Sequence, residues 1–378
     1  MLMGLASLSA RAQGSVKPPA DEADRARWQA AADYSASHDG QAFLVMKDGV
    51  VVFEKYAKGW DGTKPHPLAS GSKSFWGVLA AAAAQDGLIS LDEKASDTID
   101  EWKSDPRKTR ITVRQLLSLS SGIVPGGATF LRALRRNDAK EAIEQPTYAE
   151  PGEKFRYGPA AYFVFGEMLS RKLKAKDDRD PTPQGYLQRR VLEPIGIRID
   201  RWGKDLSGHV NMPGGASMSA MEWAKFGEFI RLDGAVVEAG KRKQIVDAGM
   251  LKECFKPSHA NAHYGLTWWL PAGDPNAASA MVDDAEEGDA VTRRLTRQMD
   301  RSGRKISEHG PIPEIRMAAG LGTQRLYVVP EMKLVVVRFA PLMTKGDTGS
   351  NGKASIFDDG EMLRLLLAPQ DGKEPAKP

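Results

Sequence analysis

A serine followed three residues later by a lysine recurs in this chain, at Ser70-Gly71-Ser72-Lys73, at Ser302 to Lys305 and at Ser350 to Lys353. On a helix such a pair lies one turn apart on one face, so amine and hydroxyl can meet. A serine becomes a nucleophile beside a base, and lysine is a base where burial lowers its pKa toward neutrality. Surroundings separate the three matches. Ser302 to Lys305 falls in a charged stretch and Ser350 to Lys353 in a glycine-rich one, neither able to desolvate an amine. Only Ser70 follows Pro67-Leu68-Ala69 and stands directly ahead of an apolar run containing Phe75, Trp76 and Val78. A helix-capping role fits Ser70 poorly. A capping box places Glu or Gln, not Lys, at the third helical position, and a cation in the first turn opposes the helix dipole. A residue that breaks local preference marks a functional position. Ser70 is therefore the expected nucleophile and Lys73 its partner, with N–H groups at the helix start available to an oxyanion.

These residues must be held by a fold with strands at both ends and helices between. Ala42 to Phe53 contains two β-rich runs around Asp48-Gly49, a pair suited to the positive φ angles of a tight hairpin. Arg325 to Val329 and Leu334 to Phe339 form a second pair of runs around Pro330-Glu331. Helical patterns occupy Arg25 to Tyr34, Val78 to Gln85 with Gly87 as terminator, Val113 to Leu119, Tyr162 to Leu173, Thr182 to Leu192, Glu222 to Leu232 and Met362 to Leu367. Tyr264 to Leu270 returns the chain to the sheet. The expected class is α/β (α+β): an antiparallel sheet built from both termini, flanked by helices, with a mostly helical domain inserted. The parts are a truncated signal peptide over 1–12, a linker over 13–23, the first part of the α/β domain over 24–95, the helical domain over 96–258, the second part of the α/β domain over 259–368 and a disordered tail over 369–378. Residues 283–309, acidic and then basic, read as a solvated excursion.

The 378 residues carry a net charge of +4, which demands neither nucleic acid nor an anionic membrane. No apolar run approaches the roughly 20 residues of a membrane span. The single cysteine, Cys254, excludes an intrachain disulfide and reads as a partly buried structural thiol. Among the six histidines His259 and His263 are the best-spaced pair, but no acidic partner lies between them and no metal is expected. There is no HExxH, P-loop, GxGxxG or GxSxG, and no cofactor is implied. The opening MLMGLASLSARAQG has an apolar run ending in Ala10-Arg11-Ala12, like a cleavage site, without a charged start. It points to a periplasmic or secreted protein, with a cytoplasmic one as the alternative.

Several segments resemble, in order, the serine β-lactamase and penicillin-binding-protein superfamily, and its class C-like branch of esterases, D-amino-acid peptidases and amide-oligomer hydrolases in particular. They are Leu68 to Gly77, Gly87 to Glu93, Ile111 to Gly122, Pro151 to Tyr157, Gly214 to Ser219 and Tyr264 to Trp269. The resemblance implies that Tyr157 sits beside Ser70 and Lys73 and shuttles a proton, leaving open whether Lys73 or Tyr157 is the base. It implies a substrate-binding edge at Gly320, Leu321 and Gly322, where a main-chain N–H near Leu321 completes an oxyanion hole; the other reading of these glycines is a bulge before a strand. Two departures stand out. Tyr157-Gly158-Pro159 lacks the asparagine of the family's Tyr-x-Asn, and no Lys-Thr-Gly or His-x-Gly motif is recognisable near Arg316 to Gln324. Arg316 and Arg325 flank a strand, where arginines are more often solvated; the other reading has them hold a substrate carboxylate. The expected function is hydrolysis of a small ester or amide through an acyl-enzyme at Ser70. The alternatives are a β-lactamase or D,D-peptidase, and a substrate-binding or sensor protein of the same fold without turnover.

Overall fold

The computed structural model describes residues 22–126, 138–176, 178–271, 290–308, 310–342 and 357–367. The stretches read as signal, linker and tail, and the Ser350 to Lys353 match, lie outside the described residues, apart from the linker's last two positions.

Helix α1 (Glu22–Ser37) buries Trp28, Ala31, Ala32 and Ser35, a stripe at helical spacing. Strands β1 (Ala42–Lys47) and β2 (Val50–Tyr56) form the expected hairpin, with Asp48 and Gly49 at φ 50° and 77°. The chain then crosses the interior as α2 (Ser74–Gln85), whose first ten residues are all buried. Its alanine run lets neighbours approach from every side, and Gly87, at φ 69°, ends it. Helices α3 (Ala160–Ala175) and α4 (Ala220–Arg231) follow. Later come α5 (Ala290–Ser307), β3 (Arg316–Gly320), β4 (Gln324–Val329), β5 (Leu334–Phe339) and α6 (Asp359–Leu367).

The five strands make one antiparallel sheet in the order β2-β1-β5-β4-β3, so strands from both ends of the chain meet where β1 pairs with β5. Strands β4 and β5 are buried at every position. That explains their continuous apolar runs in place of alternation, since a sheet covered on both faces has no polar side. Helix α4 packs against β1, β4 and β5. Gly227 of α4 makes the approach possible, because a Cβ there would come within 2.5 Å of Val335. On the other face Arg325 and Tyr327 of β4 and Arg338 of β5 reach α1 and α6 through Asp359, Ser35 and His38. The mixed α/β architecture with an antiparallel sheet is the one expected from the sequence. Trp269 forms a bridge to Met317 of β3, returning the 264–270 segment to the sheet.

The charged stretch departs from expectation. Its residues 283–289 lie outside the described residues, but 290–307 form α5, which is no solvated excursion. Thr292, Thr296, Met299, Gly303 and Ile306 recur at four- and three-residue intervals and are buried, and α5 packs along α6. The buried stripe is made of threonine, glycine and two apolar residues, so hydropathy alone gives little signal amid the arginines. A Cβ on Gly303 would lie 2.6 Å from the Pro271 carbonyl, which shows how closely this helix is docked. Ser302 bonds back to the Gln298 carbonyl, and Lys305 pairs with Glu361.

Candidate active site

The nucleophile segment is a sharp turn. The short strand His66–Pro67 pairs with Ala216–Met218, and Leu68 donates to the Ala216 carbonyl at 2.9 Å. Ala69 then takes a left-handed φ of 47°, rare for a residue with a Cβ and costing on the order of 1–2 kcal/mol. A 3-10 turn over Ala69–Lys73 leads into α2. In that geometry residues three apart eclipse one another, which stacks Lys73 on Ser70 more directly than an α-helix would. The tetrapeptide is explained residue by residue. Gly71 lies against the Trp223 ring, where a Cβ would approach to 2.9 Å. Ser72 donates to the Ala69 carbonyl at 2.7 Å and accepts from Ala216 N–H at 3.0 Å, holding the strained turn in place.

Lys73 Nζ lies 3.0 Å from Ser70 Oγ and donates to the Pro213 carbonyl at 2.9 Å. Its position off the Tyr157 ring is 4.9 Å from the centroid, with the Tyr162 ring at 5.5 Å. Burial brings the Lys73 pKa down from 10.5 to about 7. The Tyr157 phenol is hydrogen-bonded to Ser70. Burial pushes its pKa up to about 12, while that bond and the Arg325 charge pull in the opposite direction. The structure thus brings Ser70, Lys73 and Tyr157 together, with the serine hydroxyl between an amine and a phenol.

Tyr157 lies outside any strand or helix, so other groups hold it. Its ring stacks on Trp269 at 5.6 Å and meets Tyr264 edge-on at 6.4 Å. Arg156 N–H donates to the Leu119 carbonyl at 2.9 Å, Tyr157 N–H to Thr292 Oγ1 at 2.8 Å, and Ala160 N–H to the Pro125 carbonyl at 3.0 Å. Gly158 is pressed on Pro125, where a Cβ would clash at 2.3 Å. Neither Gly158 nor Pro159 offers a side-chain amide. Trp269, Tyr264, Thr292 and the Pro213 carbonyl were not singled out as site groups in the sequence. The two aromatics lie in a segment whose resemblance was noted, and that was the available signal for them.

Gly320 ends β3 beside the nucleophile turn: a Cβ there would meet the Leu68 carbonyl at 2.0 Å, so only glycine permits this approach. Gly322, at φ 69°, and Thr323, at φ 60°, form the turn to β4, so the close-approach reading fits Gly320, while Gly322 lies in a turn between strands and not in a bulge. The Leu321 side chain is 59% exposed. Arg325 Nη1 donates to the Gly320 carbonyl at 3.1 Å. In a planar trans peptide the next N–H, that of Leu321, points the opposite way from that carbonyl. Gln324 secures the turn by donating to the Leu321, Gly322 and Ala340 carbonyls.

Neither arginine is solvated or available to a substrate carboxylate, contrary to both readings of the sequence. Arg316 is buried, bonded to Asp233 at 2.8 Å, Glu314 at 2.7 Å and the Ile230 carbonyl, and stacked on Phe255. Arg325 is buried and bidentate on Asp359 at 2.7 and 2.9 Å. Both had been read as solvated or substrate-facing because their carboxylate partners are distant in sequence or follow no pattern. Cys254 is fully buried and its thiol is pushed up to about 12 by desolvation. His259 is exposed, whereas His263 is buried with Nδ1 at the Leu270 carbonyl. No helix among the described residues is long and apolar enough to cross a membrane.

Comparison with known proteins shows the family. Residues 25–356 match the family described as Beta-lactamase, and the chain belongs to that family. Protein flp of Staphylococcus aureus is 30% identical over 144 residues, which make up 36% of this chain and 28% of that protein. The match therefore spans little more than a quarter of that relative. Among solved structures, EstCE1, a hydrolase with promiscuous acyltransferase activity, superposes with a TM-score of 0.63 at 14% identity, covering 92% of this chain and 100% of that one. A D-stereospecific amidohydrolase from Streptomyces sp. gives 0.56 at 14%, covering 84% and 94%. At such identities the likeness shows the fold. The chain has the fold of the β-lactamase family.

Proposed function

We propose that the protein is a serine hydrolase that forms an acyl-enzyme at Ser70 and turns over a small ester or amide. The observation that carries this reading is the Ser70 hydroxyl held between a buried, low-pKa lysine amine and a tyrosine phenol. At pH 7 about half of Lys73 is the neutral amine and can accept a proton. Tyr157, with its pKa near 12, remains a phenol and is a proton donor, not the resting base. Ser70 Oγ attacks the acyl carbon and its proton passes to Lys73 Nζ. The oxyanion is received by the N–H of Ser70 and that of Leu321. As the bond to the leaving group breaks, the phenol gives its proton to that group and is reprotonated from the Lys73 ammonium. Water then attacks the ester on Ser70 by the same relay in reverse. The missing amide at Gly158-Pro159 favours simple esters and amides over substrates that carry an acylamide side chain.

The test is incubation of the full chain with a fluorophosphonate, with intact mass and peptide mapping, alongside assays of p-nitrophenyl esters, short amides and a fluorescent penicillin. One phosphonyl adduct on Ser70 with ester turnover is the expected result. Efficient β-lactam turnover would move the assignment to a β-lactamase. A stable penicillin adduct without turnover would make it a sensor, and absence of any adduct would sink the acyl-serine reading. The pH dependence is a second check. Acylation should rise through an apparent pKa near 7 as Lys73 loses its proton, then stay level through pH 9. A rate independent of pH between 5.5 and 8.5 would exclude Lys73 as the base.

A further inference from the structure

We propose that α5 is part of the active-site wall and that its Thr292 is a positioning residue for Tyr157, an inference that rests on the acyl-serine reading above. Tyr157 sits in irregular backbone, between Arg156, which is anchored to Leu119, and Pro159, which has no N–H to anchor. Its own N–H is given to Thr292 Oγ1 at 2.8 Å. The acceptor is not a mobile surface hydroxyl. Thr292 is 5% exposed, in the first turn of α5. One turn later Thr296 Oγ1 accepts from Asn261 Nδ2 at 3.2 Å. Further on, Gln298 Nε2 donates to Asp359 at 2.5 Å, which fixes the same helix to the base of α6. In a helix a threonine χ1 is confined to two main rotamers, and the bond from Tyr157 N–H holds the one that turns the hydroxyl toward Tyr157.

The consequence is geometric. The Trp269 stack and the Tyr264 edge fix the plane of the phenol ring but leave it free to slide within that plane, and sliding is what carries the hydroxyl toward or away from Ser70 Oγ. A hydrogen bond at the tyrosine's own nitrogen sets where the Cα stands, and therefore how far the phenol reaches. The bond joins Thr292 to the main-chain nitrogen of Tyr157 and not to its phenol, so a positioning role predicts an effect on acylation that depends on the phenol.

The experiment is a cycle of full-length variants: Thr292→Val, Thr292→Ser, Tyr157→Phe and the double Thr292→Val with Tyr157→Phe. The readout is the second-order rate of Ser70 labelling by a fluorophosphonate and kcat/KM on a p-nitrophenyl ester, with thermal unfolding recorded for each. Thr292→Val, which keeps the shape and loses the acceptor, should slow acylation roughly tenfold, as expected for a small misplacement of a reacting group. Thr292→Ser should stay within about twofold of wild type, and Thr292→Val should cost nothing more once the phenol is gone. Equal loss in the wild-type and Tyr157→Phe backgrounds would overturn the assignment, as would no loss at all. If Thr292→Val does not unfold cooperatively, Thr292→Ala replaces it, and failure of both would mark the residue as structural and overturn the proposal. A wild type that labels at Ser70 while ignoring Thr292→Val would sink only this inference. A wild type that does not label would sink the acyl-serine reading beneath it.

Discussion

Ser70→Ala and Lys73→Met are each expected to lower kcat by roughly 10⁴- to 10⁶-fold, the range seen when a nucleophile or its base is removed from a serine hydrolase. The two should not add. Without the hydroxyl the amine has nothing to deprotonate, and without the amine the hydroxyl stays protonated. The double variant should therefore match the worse single one, measured as ester turnover with single-turnover rates as control. Stability should move differently. Lys73 is an amine whose pKa falls from 10.5 in the unfolded chain to about 7 in the folded one. Between those values the unfolded chain binds the extra proton, so stability of the wild type rises with pH across that window. Below about pH 7 both forms are protonated and the full cost of the buried cation is present. Lys73→Met removes this dependence, though it leaves the Pro213 carbonyl without its donor. The stability of the variant minus that of wild type should be larger at pH 6 than at pH 9 in urea titrations. A difference that does not change with pH would show that Lys73 is not buried as a low-pKa amine.

The parts of this site legible in the sequence were those in which side-chain identity does the signalling. Asp48-Gly49 fixed a hairpin because few other pairs accept two positive φ angles, and the apolar runs of β4 and β5 marked strands covered on both faces. Ser70 and Lys73 stood out because a lysine in that position is wrong for a cap. Tyr157 came only through resemblance, since a tyrosine after a Pro-Gly turn carries no local mark of function. Other features were silent for physical reasons. The Pro213 carbonyl is a backbone group that any residue could supply, and the left-handed Ala69 is imposed by Ser72 and the Ala216 strand against the preference of alanine. Helix α5 was misread because its docking face consists of small and hydroxyl-bearing residues. The arginines were misread because arginine is usually solvated. Only tertiary structure shows that Asp359, 34 residues beyond Arg325, returns to it.

That carboxylate supports the other large effect. In the pairing of β4 with β5, Arg325 stands directly opposite Arg338, and both are buried. Like charges facing across strands repel, and burial lowers the Arg338 pKa to about 10 even with Asp359 nearby to raise it. Asp359 accepts from Arg325 twice, from the Tyr327 hydroxyl and from Gln298 of α5. Arg338 is otherwise held by neutral groups: Ser35, the His38 carbonyl, Thr323 and the face of Phe357 at 4.1 Å. Asp359→Asn keeps the shape and removes the charge, leaving two desolvated guanidinium groups without their counter-ion. Breaking a buried pair in this way costs about 3–5 kcal/mol, a large part of the 5–15 kcal/mol that holds a typical domain together. Urea unfolding at pH 7 should show that loss. Arg325→Met with Asp359→Leu, which deletes the pair as a unit, should recover part of it, because it leaves one buried guanidinium without a counter-ion, that of Arg338, in place of two facing each other. Activity should not recover with stability. Arg325 also holds the Gly320 carbonyl, and through the planar peptide it aims the Leu321 N–H. A stable double variant that acylated Ser70 at the wild-type rate would show that the strand end needs no such support.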